Sequence, residues 1–301
     1  MGRDSDTLVT LMAEGALSDA DARLASDVAR AAGAEPLGWD WIDRGCALDL
    51  RLRGGLDLRL RGGGGLRAAL EDAFEAVDVI VQPARAQRRR SLLVADMDST
   101  MITCECIDEL ADYAGLKPQV AAITEAAMRG ELDFADALHA RVKLLAGMPV
   151  ETLDACRLAR VRLTPGATRL VRTMRGWGAQ TLLVSGGFTA FAEPVAAEIG
   201  FAEVRANVLL HENGRLTGEV AEPIVDAATK RAALLGAGVP AAEALAVGDG
   251  ANDIPMIEAA GLGIAFHAKP RAAAAADAAI RFGDLRTLLW AQGVGRGDWV
   301  G

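Results

Sequence analysis

Two aspartates stand two residues apart in VADMDST, residues 94–100, where the apolar run Leu92–Ala95 ends in Asp96, Met97, Asp98, Ser99 and Thr100. Carboxylates at the end of a buried strand are costly to keep without a partner or a task. A rigid Asp96 could serve as a nucleophile, and Asp98, on the following turn, can reach over the same ligand. A second apolar run ends in GDGAND, 248–253, where Asp249, Asn252 and Asp253 stand among glycines that allow close approach. Like charges gathered in this way need a cation or a proton to offset them. The donors are hard oxygens without a histidine cluster, a set that suits Mg²⁺, which commonly works beside phosphate. Phosphate needs donors as well. Ser185-Gly186-Gly187 offers a hydroxyl and backbone N–H groups leading into a helix, and Lys230 offers a mobile cation. Each sign is weak alone, since a Ser-Gly-Gly turn is often only a turn and a lysine is usually solvated.

These residues need elements to hold them. Leu92–Asp96, Thr181–Ser185 and Leu245–Asp249 read as short apolar strands, each ending in a polar residue followed by Gly or Ser, with helical segments between. That order predicts a parallel sheet with crossover helices, whose ligands bind beyond the carboxyl ends of the strands. Residues 106–163 contain no comparable strand. They read as four helices, Ile107–Gly115, Val120–Gly130, Phe134–Leu145 and Val150–Leu158, in the position of a cap inserted after the first strand. Asn213-Gly214 between strand-like runs predicts a type I′ hairpin.

Ahead of Pro83 the pattern differs. Residues 7–14 read as a strand, Ser18 caps a helix, 37–61 alternate as strands do, and a second helix and a closing strand follow. The order βαββαβ predicts a small α+β unit of the ferredoxin-like kind. Within it LDLRLRGG occurs twice, at 48–55 and 56–63. The two copies could form a hairpin; a loop duplication with no function of its own is the preferred reading. Pro83–Arg90 reads as a linker, and its basic residues Arg85 and Arg88–Arg90 as a solvated run rather than a phosphate site. The division is then an α+β domain over 1–86, a linker over 87–90, and a catalytic core over 91–301 with the cap at about 106–163.

The net charge of −9 argues against a nucleic-acid binder, which would need a basic face. No stretch is long and apolar enough to span a membrane, and the first residues lack the apolar core of a secretion signal. Four cysteines, at 46, 104, 106 and 156, are too few for a disulfide scaffold, so reduced thiols and a cytoplasmic location are expected. Cys104-x-Cys106 could be a metal half-site, but no second Cys/His pair lies near it, which favours packing.

DMDST, SGG, Lys230 and GDGANDIPM, in that order, resemble the haloacid dehalogenase-like phosphatases over about residues 91–290. Within that family, DMDSTMITCECIDELA and MRGELDFADALHARV are similar to the members that hydrolyse phosphoserine, and the N-terminal unit is loosely similar to an ACT-like domain. The resemblance implies an α/β Rossmann-like core with a helical cap, and it implies roles. Asp96 is the nucleophile that becomes an aspartyl phosphate, and Asp98 the general acid and base. Mg²⁺ is held by the Asp96 carboxylate, the Asp98 carbonyl and Asp249. Ser185, Gly186 and Lys230 bind phosphoryl oxygens, and Asn252 and Asp253 support the metal site and the lysine. Glu105 and Arg141 take the ammonium and carboxylate of O-phospho-L-serine; Met128 and Phe134 are apolar cap contacts. Lys230 and Asp249 are closer in sequence than in some relatives, which predicts a shortened helix between them.

Two further readings remain open. One is a phosphatase or phosphotransferase for another small phosphomonoester, such as homoserine phosphate. The other is a serine-sensing protein with a vestigial core, against which the complete set Asp96, Asp98, Lys230 and Asp249 argues. For the N-terminal unit three roles are compatible with the sequence: binding an amino acid, pairing two subunits as a homodimer, or neither.

Overall fold

The computed structural model describes residues 7–54, 65–84, 86–128 and 131–301. The chain begins with β1 (Thr7–Met12), α1 (Asp19–Ala31), β2 (Glu35–Asp43), β3 (Ala47–Arg53), α2 (Gly65–Ala73) and β4 (Asp78–Pro83). The strands form an antiparallel sheet in the order β2-β3-β1-β4, the ferredoxin-like arrangement. Ser18 starts α1 with a capping box: its hydroxyl accepts from Ala20, and Asp21 accepts from the Ser18 backbone N–H at 2.8 Å. Both edges of β3 are paired, to β1 and to β2. The first LDLRLRGG copy, which supplies β3, therefore cannot also form a hairpin with the second, whose residues lie outside those described.

The strands of this sheet alternate between two cores, as the period of two dictates. Val9, Leu11, Leu48, Val79 and Val81 pack under α1 and α2. Met12, Ala47 and Ile80 instead join the cluster that contains Leu288 and Trp290 of the C-terminal unit. The expected solvated run is also drawn inward. Arg88 grips Asp49 with two nitrogens and reaches the Ala291 carbonyl, while Arg90 is buried and donates to Ala242. A guanidinium has enough donors to satisfy carbonyls and a carboxylate at such a junction. Arg85 lies outside the described residues.

The core follows with β5 (Leu92–Ala95), then a cap of α3 (Cys106–Tyr113), α4 (Lys117–Met128), α5 (Phe134–Lys143) and α6 (Glu151–Arg160). Next come α7 (Ala167–Gly176), β6 (Gln180–Phe188), α8 (Thr189–Ile199), β7 (Glu203–Asn207), β8 (Leu209–Glu212) and β9 (Arg215–Val220). The chain closes with α9 (Ala227–Leu235), β10 (Ala244–Gly248), α10 (Ile254–Ala259), β11 (Leu262–Phe266), α11 (Pro270–Ala275), β12 (Ala278–Ile280) and α12 (Thr287–Ala291). Six strands form a parallel sheet in the order β12-β11-β10-β5-β6-β7. The four residues of β5, LLVA, are all buried, as a strand covered on both faces requires. β5 lies between β10 and β6, so the ends that carry Asp96, Asp249 and Ser185 are neighbours. The hairpin β8–β9 turns through Asn213 and Gly214, both with positive φ, and pairs with the cap at Gly147–Val150. No helix among the described residues is long and apolar enough to cross a membrane.

Candidate active site

Asp96 is the first residue beyond β5 and is 4% exposed. Its Oδ1 accepts from the Met97 N–H at 2.7 Å and from Lys230 Nζ at 2.7 Å, so Oδ2 is the oxygen left for chemistry. Lys230 lies in the first turn of α9, a helix started by Asp226, whose carboxylate accepts from Thr229 at 2.8 Å. Its ammonium also meets Asp253 Oδ1 at 2.7 Å. Burial alone would lower the Lys230 pKa, but the Asp96 and Asp253 carboxylates outweigh it and hold the ammonium above its ordinary range.

Asp253 uses both of its oxygens. Its Oδ2 accepts from the Asp249 and Gly250 N–H groups at 3.1 and 3.0 Å while Oδ1 holds Lys230. It can come this close because residue 248 is glycine; a Cβ there would meet the Asp253 carboxyl at 2.3 Å. Asn252 is half-buried with its side-chain oxygen against Gly250, and its neighbour Asp253 is the one that reaches the lysine. Asp249 takes a contact from the Thr100 hydroxyl at 3.5 Å. Burial, then Asp253 and Glu105, raise the Asp249 pKa to about 6. Burial and the charge of Asp253 push Asp96 upward as well, against the pull of Lys230.

Oxygens of Asp96, Asp249 and Asp253 lie within 4.8 Å of one another. Three carboxylates face one ammonium, so the cluster carries excess negative charge in a poorly solvated place. A hard dication fits that donor set and that charge.

Asp98 belongs to a π-type turn, Met97–Met101, broken at Asp98 and Ser99. Ser99 adopts φ of 52° and donates its hydroxyl to Glu105 at 2.7 Å. The N–H of Cys106, at the start of α3, donates to Asp98 Oδ1 at 3.1 Å. Burial raises the Asp98 pKa to about 7, with Glu105 adding to it and the Cys106 hydrogen bonds opposing it. The carboxyl packs on Gly187 so closely that a Cβ there would meet Asp98 Oδ2 at 2.8 Å.

Gly187 completes the turn Ser185-Gly186-Gly187, where its N–H donates to the Ser185 hydroxyl at 2.8 Å. Above Gly186 lies Phe134 of the cap, whose ring edge would stand 3.3 Å from a Cβ at that position. Arg141, two helical turns further along α5, donates Nε–H to the Ala137 carbonyl at 3.1 Å. Burial lowers its pKa, and the charges of Asp108, Glu105 and Asp98 oppose that shift, so the guanidinium lies near the acids that precede and open α3. Met128 is in α4, with its side chain outside the described residues.

Two residues hold this site in ways the sequence did not announce. Cys106, read as packing, also holds Asp98 through its backbone N–H. Buried Asn207 donates to the Gly186 carbonyl at 2.8 Å and accepts from the Val225 N–H at 2.7 Å. An asparagine at the end of an otherwise mixed strand carries no local signal of either bond.

Residues 93–258, more than half of the chain, match the haloacid dehalogenase-like hydrolases, and the chain belongs to that family. It is 47% identical over 238 residues to a phosphoserine phosphatase of Streptomyces coelicolor, covering 77% of this chain and 58% of that one. It is 48% identical to a phosphoserine phosphatase of a Polaromonas species, covering 66% of this chain and 88% of that one. Among solved structures, a probable phosphoserine phosphatase from Vibrio cholerae superposes with a TM-score of 0.77 at 31% identity, over 97% of this chain and 88% of that chain. The chain thus spans less than two thirds of the length of the Streptomyces relative.

Proposed function

We propose that this protein hydrolyses O-phospho-L-serine to L-serine and phosphate, the last step of serine biosynthesis. The observation that carries the reading is the buried Lys230 bound to both Asp96 and Asp253, with Asp98 packed against the Ser185–Gly187 turn. Relatives at 47–48% identity that are named phosphoserine phosphatases support the choice of substrate.

Asp96 Oδ2 attacks phosphorus and the bond to the seryl oxygen breaks. Asp98, whose pKa near 7 keeps a proton available, delivers it to that oxygen. Serine departs and an aspartyl phosphate remains. A water then attacks phosphorus and passes its proton to Asp98; phosphate leaves and Asp96 is restored. Ser185, the Gly186 N–H and Lys230 hold the phosphoryl oxygens, and Asp253, with Asn252 beside it, supports the lysine. The Asp96 carboxylate, the Asp98 carbonyl and Asp249 are the groups that would hold Mg²⁺, which supplies positive charge against the phosphoryl group.

Glu105 takes the substrate ammonium and Arg141 its carboxylate, the latter by two parallel hydrogen bonds. Phe134 and Met128 exclude water on the cap side. The α+β domain over 1–86 and the linker over 87–90 carry none of these groups. The unpaired cysteines fit a reducing cytoplasm. The test is phosphate release from a panel of phosphorylated amino acids and other small phosphomonoesters, with and without Mg²⁺. Phosphoserine should lead the panel by at least tenfold in kcat/KM; a lead by another phosphomonoester overturns the substrate, and no release from any of them overturns the reaction.

A further inference from the structure

The turn that carries Ser185 is a bulge. Between Val184, which pairs with Arg205, and Phe188, which pairs with Asn207, β6 has three residues where β7 has one. Those three are Ser185, Gly186 and Gly187, pushed out of the ladder at the carboxyl end of the sheet. A bulge leaves backbone groups unpaired and re-aims the side chains it carries. Here the groups are not left to drift. The Gly186 carbonyl accepts from Asn207 Nδ2 at 2.8 Å, and the N–H of the same peptide, that of Gly187, donates to Ser185 Oγ at 2.8 Å. The peptide between the two glycines is therefore held at both ends.

The second arm of Asn207 reaches the other phosphate-binding element. Its Oδ1 accepts from the Val225 N–H at 2.7 Å, one residue before Asp226 starts the helix that carries Lys230. The carbonyl of Gly186 can only accept and the N–H of Val225 can only donate, so the orientation of the amide is fixed by its partners. Asn207 is 2% exposed, and a buried side chain with both ends satisfied holds its geometry well.

We propose that Asn207 is a positioning residue for the phosphoryl site. It fixes the Gly186–Gly187 peptide so that the Ser185 hydroxyl is engaged as an acceptor from Gly187. Its own proton is then committed to the phosphoryl oxygen. By bracing Val225, the same side chain fixes the turn against the entry to the Lys230 helix. This assignment rests on the reading of Ser185, Gly186 and Lys230 as the phosphoryl-binding groups.

The test is a double-mutant cycle between Asn207 and Ser185, read as kcat/KM for O-phospho-L-serine, with the melting temperature of each variant. Asn207→Ala should cost about 10- to 100-fold, somewhat less than the roughly 10²- to 10³-fold loss of deleting an oxyanion donor outright. In a Ser185→Ala background the same change should cost several-fold less than in the parent, because the hydroxyl it positions is gone and only the brace at Val225 is left to lose. Asn207→Asp keeps the acceptor for Val225 and loses the donor to Gly186, so it should fall with Asn207→Ala rather than with the parent. Equal losses in the two backgrounds would mean that Asn207 acts on the fold as a whole and overturn the assignment. So would a loss under threefold in the parent background, or the disappearance of cooperative unfolding in both Asn207 variants. A parent protein that releases no phosphate from phosphoserine overturns the reading of the site and this assignment with it, an outcome distinct from each of the others.

Discussion

Lys230 Nζ stands 2.7 Å from an oxygen of Asp96 and 2.7 Å from an oxygen of Asp253, and no one of the three residues is more than 4% exposed. One cation is thus shared by two carboxylates, with Asp249 close by. Removing one partner of a buried pair leaves an uncompensated charge, which typically costs about 3–5 kcal/mol. Lys230→Met should lower stability on that scale in urea unfolding at pH 7 with a chelator present, and should abolish turnover. Adding Asp253→Asn should recover part of the stability and none of the activity. Equal stability of parent and Lys230→Met would show that the ammonium does not hold this cluster.

Asp96→Asn removes the attacking oxygen and also one charge from the crowded cluster. Turnover should vanish, because an amide does not serve as the nucleophile. The metal-free variant should melt no lower than the parent, since the negative charge it loses is one that burial and Asp253 disfavour. Activity within tenfold of the parent would place the nucleophile elsewhere. Chelation by EDTA should silence the parent, and Mg²⁺ should restore it; restoration by Zn²⁺ alone would count against an all-oxygen Mg²⁺ site.

The pH dependence has a definite sign. Burial first, and Glu105 second, raise Asp98 to about 7. The form that protonates the leaving oxygen is the neutral acid, so kcat/KM should fall as pH rises through about 7. Glu105→Gln removes the like charge and should move that limb to lower pH. Glycerol phosphate is the substrate for this comparison, because its alkoxide leaving group needs the proton and it has no ammonium for Glu105 to hold. An unmoved limb in Glu105→Gln would detach the titration from Asp98.

Part of the proposed site was legible because three of its residues follow short apolar runs. Asp96, Ser185 and Asp249 stand where LLVA, LLV and LAVG stop, and a buried strand that ends in a polar residue marks the carboxyl edge of a parallel sheet. Asn213-Gly214 was equally plain, as a turn that requires positive φ twice. β12, only Ala278–Ile280, lies in an alanine-rich stretch where no period separates strand from helix. The inward course of Arg88 and Arg90 depends on Asp49 and on carbonyls some 150 to 200 residues away in sequence. Local pattern cannot show this, and neither can it show the two arms of Asn207.

The same distance in sequence separates the groups that join the N-terminal unit to the core. Asp78 accepts from the N–H groups of Arg281, Phe282 and Gly283, at 2.7, 3.2 and 2.7 Å, and Gln82 donates to the Ala291 carbonyl at 2.9 Å. Removing residues 1–86 strips these partners and uncovers the apolar surface around Trp290 and Leu288. The truncated protein should melt lower than the full chain and aggregate more readily. Its kcat/KM per soluble molecule should stay within about tenfold, because every proposed catalytic group lies after residue 90. Soluble, folded but inactive protein would give the N-terminal unit a part in the chemistry.

Arg141 tests the substrate itself. Its Nε–H is spent on the Ala137 carbonyl, which fixes the guanidinium relative to α5 while its charge faces Glu105 and Asp98. A substrate carboxylate held there would meet a planar pair of donors. Arg141→Ala should then cost phosphoserine turnover about 2–5 kcal/mol in kcat/KM, the scale of losing one partner of a desolvated, hydrogen-bonded charge pair. The change should scarcely affect phosphoethanolamine or para-nitrophenyl phosphate, which lack that carboxylate. Arg141→Lys should rescue only part of the loss, because an ammonium cannot make the two-pronged contact. The measurement is kcat/KM for both kinds of substrate in all three proteins. Equal losses on both kinds would make Arg141 part of the general phosphoryl machinery, and the recognition of phosphoserine would then have to come from Glu105 and the apolar cap residues.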